Sequence, residues 1–250
     1  MSLFLHSINL LMQIMALIGA RGCSKGLKNK NLLILGKKSL IEHTIHDAIN
    51  SKKFDRIIVS TDDDTIARVS KKAGAEVPFL RPKKFSKDTT IMKEVVSHAL
   101  SFLKKQESYF PDIVVVMQPT SPFRDKKIIQ KSLVLLKKSG STSVISVAES
   151  EHHPFISFFH QGKFLKPLRK DHLNHSLRQK RTPVYHPTGS LYTFWSTNLK
   201  KYNSIHGPKI YPLVIKNKSL NHDIDDLYDL FLADMTNQFW AKYKKPKVKK

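Results

Sequence analysis

Short apolar runs alternate with amphipathic segments along most of this chain, and the alternation restricts its fold more than any other feature. Runs rich in β-branched residues predict buried strands, and apolar residues at helical spacing predict helices between them. The predicted strands span 14–20, 56–60, 112–117, 143–147, 190–195 and 210–215, and the predicted helices span 39–50, 61–73, 90–105, 126–138 and 224–235. Strands that alternate with helices form a parallel sheet with both faces covered. The sequence therefore predicts an α/β fold with a mainly parallel sheet.

The pattern changes over residues 149–187, where short aromatic and basic pieces are interrupted by prolines. We interpret this stretch as an arm inserted into a domain that spans 14–241. Residues 1–13 lack a basic leader and a cleavage site, so we expect a dispensable leader rather than a secretory signal or a membrane span. Residues 242–250 contain six lysines and no acid, which predicts a disordered basic tail.

The chain carries 43 Lys and Arg residues against 20 Asp and Glu, a formal net charge of +23. Such an excess suggests an acidic partner: nucleic acid, a membrane surface or a phosphorylated small molecule. Because much of this positive charge lies in the tail and in Lys-Lys pairs near predicted helix ends, we favour a solvated basic surface over a stripe that binds nucleic acid. Cys23 is the only cysteine, which excludes an intramolecular disulfide and a cysteine-based zinc cluster and fits a cytoplasmic protein.

The densest functional signal is the loop 20–31, directly after the first predicted strand. A loop at the carboxyl end of a parallel strand is where α/β sheets bind ligands. Glycines permit close backbone approach, and four cations suit a triphosphate. Those cations are Arg21, Lys25, Lys28 and Lys30. The spacing matches neither the Walker loop nor the dinucleotide fingerprint, and a flexible basic loop without function is the alternative.

A second signal is the acidic pair Asp223 and Asp225, between a predicted strand and the last helix. Residues two apart on an extended segment face the same side, so both carboxylates can meet one hard cation such as Mg²⁺. The alternative is that Asp225 and Asp226 merely cap the helix.

Three further polar segments have mainly structural explanations. The turn 118–124 follows the third strand and carries Gln118, Thr120, Ser121 and Arg124, but two prolines and a Ser cap on the next helix account for most of it. Residues Asp62 to Asp64 are interpreted as first-turn acids of the helix that Thr61 caps. Arg81 is a lone cation on a loop.

Taken in chain order, these segments resemble the acylneuraminate cytidylyltransferases, which are CMP-sialic acid (CMP-nonulosonate) synthetases. The matching pieces lie at 20–31, 57–63, 78–82, 118–122, 178–179, 189–192 and 223–225. The resemblance implies a three-layer Rossmann-like nucleotidyltransferase fold and a homodimer in which the inserted arm reaches into the partner's site. It also implies an enzyme that joins CTP to a nine-carbon acidic sugar and releases pyrophosphate.

The resemblance also implies roles for individual residues. Residues expected to hold the nucleotide and its phosphates are Arg21, Ser24, Lys25, Lys30 and Asn31, with Arg81 near the base or ribose. By the same likeness Asp223 and Asp225 hold Mg²⁺, and Arg21, Lys30 and Asp223 form the catalytic set. The sugar side is expected to be lined by Gln118, Arg178 and Tyr192, since arginine suits a carboxylate.

The sequence departs from the family pattern at three places. Gly19 replaces the usual proline before the loop, Cys23 replaces a loop glycine, and the segment commonly written Tyr-Arg-Pro-Asn-Gly is here 185–189, with His186 and Thr188. The lysine Lys25 is followed by glycine, whereas pseudaminic-type enzymes tend to have arginine there. A sialic or legionaminic acid is therefore the expected substrate. The alternatives are another acidic keto-sugar, or a non-enzymatic nucleic-acid-binding protein that reuses the fold.

Overall fold

The structure is a computed structural model that describes residues 12–23, 26–170, 179 and 181–239. Its centre is a six-stranded sheet in the order β10-β6-β9-β5-β1-β4. The sheet strands are β1 (Ile14–Gly19), β4 (Arg56–Ser60), β5 (Ile113–Met117), β6 (Ser143–Glu149), β9 (Tyr185–Trp195) and β10 (Ile210–Val214). The helices are α1 (Leu40–Ser51), α2 (Asp64–Lys72), α3 (Met92–Glu107), α4 (Lys126–Lys138), α5 (Asn198–Tyr202) and α6 (Leu227–Phe239). Two small hairpins complete the described elements: β2 (Ile34–Leu35) with β3 (Lys38–Ser39), and β7 (Phe158–Gln161) with β8 (Phe164–Pro167).

The sheet is mainly parallel, as the alternation of strands and helices predicts. Strand β1 is parallel to β4 and β5, and β10 is parallel to β6. Strand β9 is the exception, because it lies antiparallel between β5 and β6. The reversed direction places the first residues of β9 at the same edge as the carboxyl ends of its neighbours: Tyr185 pairs with Glu149, the last residue of β6.

Successive side chains of the central strands point to opposite faces and create two apolar layers. On β1, Ala16 and Ile18 join a core with α1, α2 and α4, whereas Met15 and Leu17 join a core with α3. All four side chains are fully buried. Helices therefore cover both faces, which gives the expected three-layer α/β architecture.

The cap predicted for α2, Thr61, and the cap predicted for α4, Ser121, are both wrong. Helix α2 is capped by Asp63, whose carboxylate accepts from the Ile66 amide, so Asp62 lies outside the helix and is no first-turn acid. Helix α4 is capped by Asp125 rather than Ser121. A polar residue before a helix is locally a good cap, but which one adopts the cap geometry depends on where the incoming loop is held.

The excursion between β6 and β9 contains the β7-β8 hairpin, which the sequence did not predict as strands. Its apolar side chains are poorly covered: Phe164 is 78% exposed and Leu165 is 64% exposed. Among the described residues, no helix combines the length and the apolar character needed to cross a membrane.

Candidate active site

The loop after β1 is held in place by polar contacts to its backbone. The Gly22 amide donates to Oδ1 of Asp62 at 3.0 Å, and Nδ2 of the buried Asn31 donates to the Arg21 carbonyl at 2.9 Å. The Arg21 guanidinium forms an ion pair with Asp88 at 2.5 Å. These contacts hold the loop at the carboxyl end of β1 with its cations at the ligand-binding edge of the sheet.

A small apolar cluster brings this loop to the acidic segment. Leu27 of the loop packs with Ile224, Leu35, Leu40 and Ala233, all of them buried. Because Leu27 and Ile224 alternate with polar neighbours, burying these two side chains leaves those neighbours at the surface of the site. Two residues that are 195 positions apart in the chain thereby come together in this part of the molecule.

Those residues are Lys30 and Asp225, whose Nζ and Oδ1 atoms lie 2.8 Å apart. The Ile224 amide donates to the Thr120 carbonyl at 2.8 Å, which attaches the acidic segment to the turn after β5. Both interpretations of the acidic run have a counterpart here. Asp226 accepts from the Asp229 amide at the start of α6, whereas Asp225 faces Lys30 and Asp223 faces the site.

Burial raises the pKa of Asp223, and the nearby carboxylates add to the rise, although a hydrogen bond from Thr120 and the charge of Lys30 oppose it. By surface area the Asp223 residue is exposed, yet the surrounding protein displaces enough water to disfavour its charge. Its exposure and its raised pKa are both expected of a carboxylate that lines a concave site and that a small ligand can contact. Such a carboxylate gains from a nearby cation.

The two carboxylates fit Mg²⁺ only together with a phosphorylated ligand. Mg²⁺ is commonly bound by one or two carboxylates, with phosphate oxygens and waters completing an octahedron. Within the described part of the chain, no group of three or more His, Cys, Asp and Glu side chains is arranged to hold a metal. Two carboxylates such as Asp223 and Asp225 would therefore hold a metal only together with oxygens of a substrate.

Arg81 lies in the same region, and two nitrogens of its buried guanidinium lack hydrogen-bond partners. Its residue is 6% exposed, and neither Nε nor Nη2 has a hydrogen-bond partner. The closest carboxylate oxygen recorded for it, Oδ1 of Asp62, is 3.9 Å from Nη2. Burial lowers the pKa of Arg81, and the charge of Arg21 lowers it further. A guanidinium in this state is costly unless a ligand completes its contacts.

Arg81 lines a cavity of about 230 Å³ beside Arg21 and the loop 85–90. Gly19 lies at the floor of this cavity, at the end of β1. Two arginines and Lys87 in one cavity at the carboxyl end of a parallel strand suit an anion, although Asp88 also lines the cavity. The interpretation of Arg81 as an isolated loop cation is thus too weak, because the fold brings it to Arg21.

The other half of the site lies at β5 and β9. Gly189 adopts φ +71°, and a Cβ atom there would collide with Oε1 of Gln118 and with the Ser121 hydroxyl. Glycine is therefore needed both for the backbone conformation and for the close approach of Gln118. Tyr192 is half-buried on β9, and burial, followed by the negative charge of Asp223, raises the pKa of its hydroxyl.

The fold thus brings most of the predicted site residues to one edge of the sheet. They are Arg21, Lys30, Asn31, Arg81, Gln118, Tyr192, Asp223 and Asp225. Ser24, Lys25 and Arg178 lie outside the described residues. Sequence reasoning missed Asp62 and Asp88, which contact the loop after β1; the position of Asp62 just after a predicted strand was the available signal, whereas Asp88 had none.

A family-wide sequence model described as Cytidylyltransferase matches residues 15–204. The chain is also 34% identical over 225 residues to the CMP-N,N'-diacetyllegionaminic acid synthase of Legionella pneumophila, a match that covers 89% of this chain and 95% of that protein. The chain belongs to the cytidylyltransferase family. It is accordingly a nucleotidyltransferase, and the predicted resemblance to the acylneuraminate cytidylyltransferases is confirmed.

Two further relatives of this cytidylyltransferase act on different sugars by name. The N-acylneuraminate cytidylyltransferase of Escherichia coli O18:K1:H7 is 33% identical over 88% of this chain, which spans 51% of that protein. The pseudaminic acid cytidylyltransferase of Campylobacter jejuni is 30% identical, over 89% of this chain and 95% of the relative.

Solved structures support the fold of this cytidylyltransferase. A CMP:2-keto-3-deoxy-manno-octonic acid synthetase, solved with CTP, superposes with a TM-score of 0.63 at 13% identity, over 92% of this chain and 100% of that chain. A 4-diphosphocytidyl-2C-methyl-D-erythritol synthase from Anaerococcus prevotii gives a TM-score of 0.61 at 15% identity, over 91% and 99%. The Rossmann-like nucleotidyltransferase fold is therefore confirmed.

Proposed function

We propose that this cytidylyltransferase transfers CMP from CTP to the anomeric hydroxyl of a nine-carbon acidic sugar of the sialic or legionaminic type, depends on Mg²⁺, and releases pyrophosphate. The observation that carries the proposal is the edge of the sheet at which two arginines line one cavity while Lys30 and two carboxylates lie beside it. Such an arrangement suits a nucleoside triphosphate, with room for an acceptor on the β5 and β9 side.

The relatives support the class of sugar. The proteins from Legionella, Escherichia and Campylobacter are named for legionaminic, neuraminic and pseudaminic acids, all of them acidic nine-carbon sugars. The loop sequence, with Gly26 after Lys25, favours the first two types over the pseudaminic type. We therefore place a legionaminic or sialic acid first among the candidate acceptors.

In the proposed reaction, Arg21 and Lys30 bind the phosphates of CTP, and Arg81 completes its missing hydrogen bonds on the ribose or base. Ser24 and Lys25 are proposed to add contacts from the same loop, and Asn31 positions it through the Arg21 carbonyl. The ion pairs of Arg21 with Asp88 and of Lys30 with Asp225 must loosen as the phosphates bind.

Asp223 and Asp225 would hold the Mg²⁺, which supplies charge neutralisation at the phosphate under attack. Gln118 and Tyr192 are proposed to orient the sugar toward that phosphate, and Arg178 to bind its carboxylate. Asp223 lies between the two halves, since its charge acts on both Lys30 and Tyr192.

We also propose a homodimer joined through the arm of residues 149–187. The β7-β8 hairpin supports it, because exposed apolar side chains such as Phe164 and Leu165 cost free energy in water and gain it when a second copy covers them. The test is the mass of the purified chain in solution, compared with a variant that carries Phe164→Ser and Leu165→Ser.

The decisive experiment measures pyrophosphate release from CTP and Mg²⁺ with N-acetylneuraminic, legionaminic, pseudaminic and Kdo acids. Controls contain EDTA, or replace CTP by the other nucleoside triphosphates. Release with CTP and one nine-carbon acid is expected. A protein that binds CTP but uses only Kdo would overturn the class of sugar, and one that does not bind CTP would overturn the proposed reaction.

A further inference from the structure

Arg124 is the most completely buried cation among the described residues, and it lies underneath the site rather than in it. Its side chain has no exposure, and all three of its nitrogens donate hydrogen bonds. Nε donates to the Ser190 carbonyl at 2.9 Å, Nη1 donates to Oγ1 of Thr44 at 3.0 Å, and Nη2 donates to the Gln118 carbonyl. One guanidinium therefore joins helix α1, the end of β5 and strand β9.

Two of these three acceptors belong to the backbone on the acceptor side of the site. Gln118 and the neighbour of Ser190, Gly189, are the residues whose close approach shapes the β5 and β9 wall. A second bond ties the same pieces together, from the Ser121 hydroxyl to the Thr188 carbonyl at 2.8 Å. The turn 118–121 is thus fixed to β9 by two side chains, those of Ser121 and Arg124, which donate to backbone carbonyls of β9.

The same turn also carries the acidic segment. The Thr120 carbonyl accepts the Ile224 amide, and the Thr120 side chain hydrogen-bonds Asp223. A displacement of the turn would therefore move Gln118 and Asp223 together. The nucleotide cavity is built from other parts, the loop after β1 and residues 81–95, none of which is recorded as an Arg124 partner.

Burial of the charged Arg124 guanidinium costs free energy, and packing alone does not explain why a cation lies there. Burial lowers the pKa of Arg124 to about 10, and its nearest carboxylate oxygen, Oδ2 of Asp47, is 3.9 Å away. Apolar residues of similar volume are often as stable as buried ion pairs, or more so. The planar fork, which meets two carbonyls at fixed angles, is what an apolar residue cannot supply.

We propose that Arg124 is a positioning residue for the acceptor sugar: it holds the turn 118–121 against β9 and thereby sets Gln118 and Asp223, which move with the turn, relative to β9. The inference rests on the proposed function, because the acceptor side is defined by it. Its specific consequence is that Arg124 acts on the sugar half of the reaction and leaves the binding of CTP in the absence of Mg²⁺ unchanged.

The test compares Arg124→Lys with Thr44→Val. Lysine retains the charge but has a single nitrogen, which cannot bond the Ser190 and Gln118 carbonyls in the fork geometry. Loss of one such bond predicts a sugar KM about 10-fold higher and a kcat about 10-fold lower. The Kd of CTP measured without sugar and without Mg²⁺ should change less than about 2-fold. Thr44→Val removes the third contact of the same guanidinium and leaves both carbonyl contacts, so it should lower Tm while the kinetic constants of the folded protein stay unchanged.

Equal kinetic effects in both variants, or an Arg124→Lys protein with wild-type KM and kcat, would overturn the proposal. If Arg124→Lys does not fold, Ser121→Ala replaces it, since it breaks the parallel bond to Thr188 and should shift the sugar KM in the same direction. An unchanged KM in that variant would count against the inference.

Hydrogen exchange gives a readout that needs no sugar. Peptides covering 118–124 and 186–191 should exchange faster in Arg124→Lys than in Thr44→Val, whereas the loop 20–31 should be unaffected in both. Wild-type protein that transfers CMP to no sugar would refute the proposed function, yet the exchange result would still decide the positioning role. Exchange at both segments that matches the wild type would overturn it.

Discussion

The Arg81→Met variant tests the candidate nucleotide site most sharply, because affinity and stability should change in opposite directions. Arg81 is buried with two nitrogens that lack hydrogen-bond partners, while its backbone amide donates to the Thr61 carbonyl and would hold the loop after substitution. Methionine retains much of the apolar volume and removes a buried charge whose ion pair with Asp62 spans 3.9 Å.

The structure sets the size of both effects. A bound CTP would supply at least one charge-assisted hydrogen bond to Arg81, which contributes about 1.5–3 kcal/mol, so its loss should raise the Kd of CTP at least about 10- to 150-fold. Removal of an unsatisfied buried group relieves about 1–3 kcal/mol, which lost packing partly offsets. The free energy of unfolding should therefore be no lower than that of the wild type.

Arg56→Met is the matched control. Arg56 forms ion pairs with Glu76 and Glu107, and its guanidinium lies over the Tyr109 ring at 4.8 Å. The same substitution there should lower the free energy of unfolding by about 1–3 kcal/mol and leave the Kd of CTP unchanged. Calorimetric titration and denaturant unfolding measure both quantities. If Arg81→Met destabilises the fold as Arg56→Met does and still binds CTP normally, the assignment of the cavity is refuted.

Three other perturbations probe the rest of the site and its support. Asp223→Asn should lower the rate on the order of 10³-fold, because several kcal/mol of metal-assisted stabilisation is lost, and a Mg²⁺ titration of the rate should show it. Gly189→Ala should lower the free energy of unfolding by about 1–3 kcal/mol, measured in urea, since its Cβ meets Gln118 in a left-handed backbone. Burial raises the pKa of Asp47 to about 7, so between about pH 4 and pH 7 the folded protein keeps a proton that the unfolded chain has released. The free energy of unfolding should therefore fall as pH rises from about 4 to about 7. Asp47→Asn should remove that slope in a pH series of unfolding curves.

The first two of these perturbations have a control in the same chain. Asp226→Asn preserves a helix cap and should leave the rate near the wild-type value, so an equal loss there would contradict the role of Asp223. Gly162 has a similar φ, +61°, with nothing near its Cβ position, and Gly162→Ala should cost less than Gly189→Ala. An unfolding profile of Asp47→Asn that keeps the wild-type slope would show that another group titrates.

Local patterns in the sequence determined most of the architecture. The β-branched runs predicted β1, β4, β5 and β6, and the helix predicted over 126–138 matches α4. These predictions are possible because the spacing of apolar residues and their burial are encoded within each element. The β7-β8 hairpin escaped detection, because its strands are short and its apolar residues do not alternate with polar ones around a core. The antiparallel direction of β9 was also not predicted, because β5 and β6, the strands that it pairs with, are distant in the chain.

What the sequence by itself determined about the site was the set of ligand-facing loops, because residues after parallel strands meet at one edge of the sheet. Only the tertiary structure decided their partners. Arg81 changes from an isolated cation to a cavity wall, and Asp62 from a helix acid to the acceptor of the Gly22 amide. Arg124 changes from a turn residue to a buried anchor. The physical reason is that hydrogen bonding and desolvation depend on neighbours in space, and those neighbours lie 6 to 195 residues away in the chain.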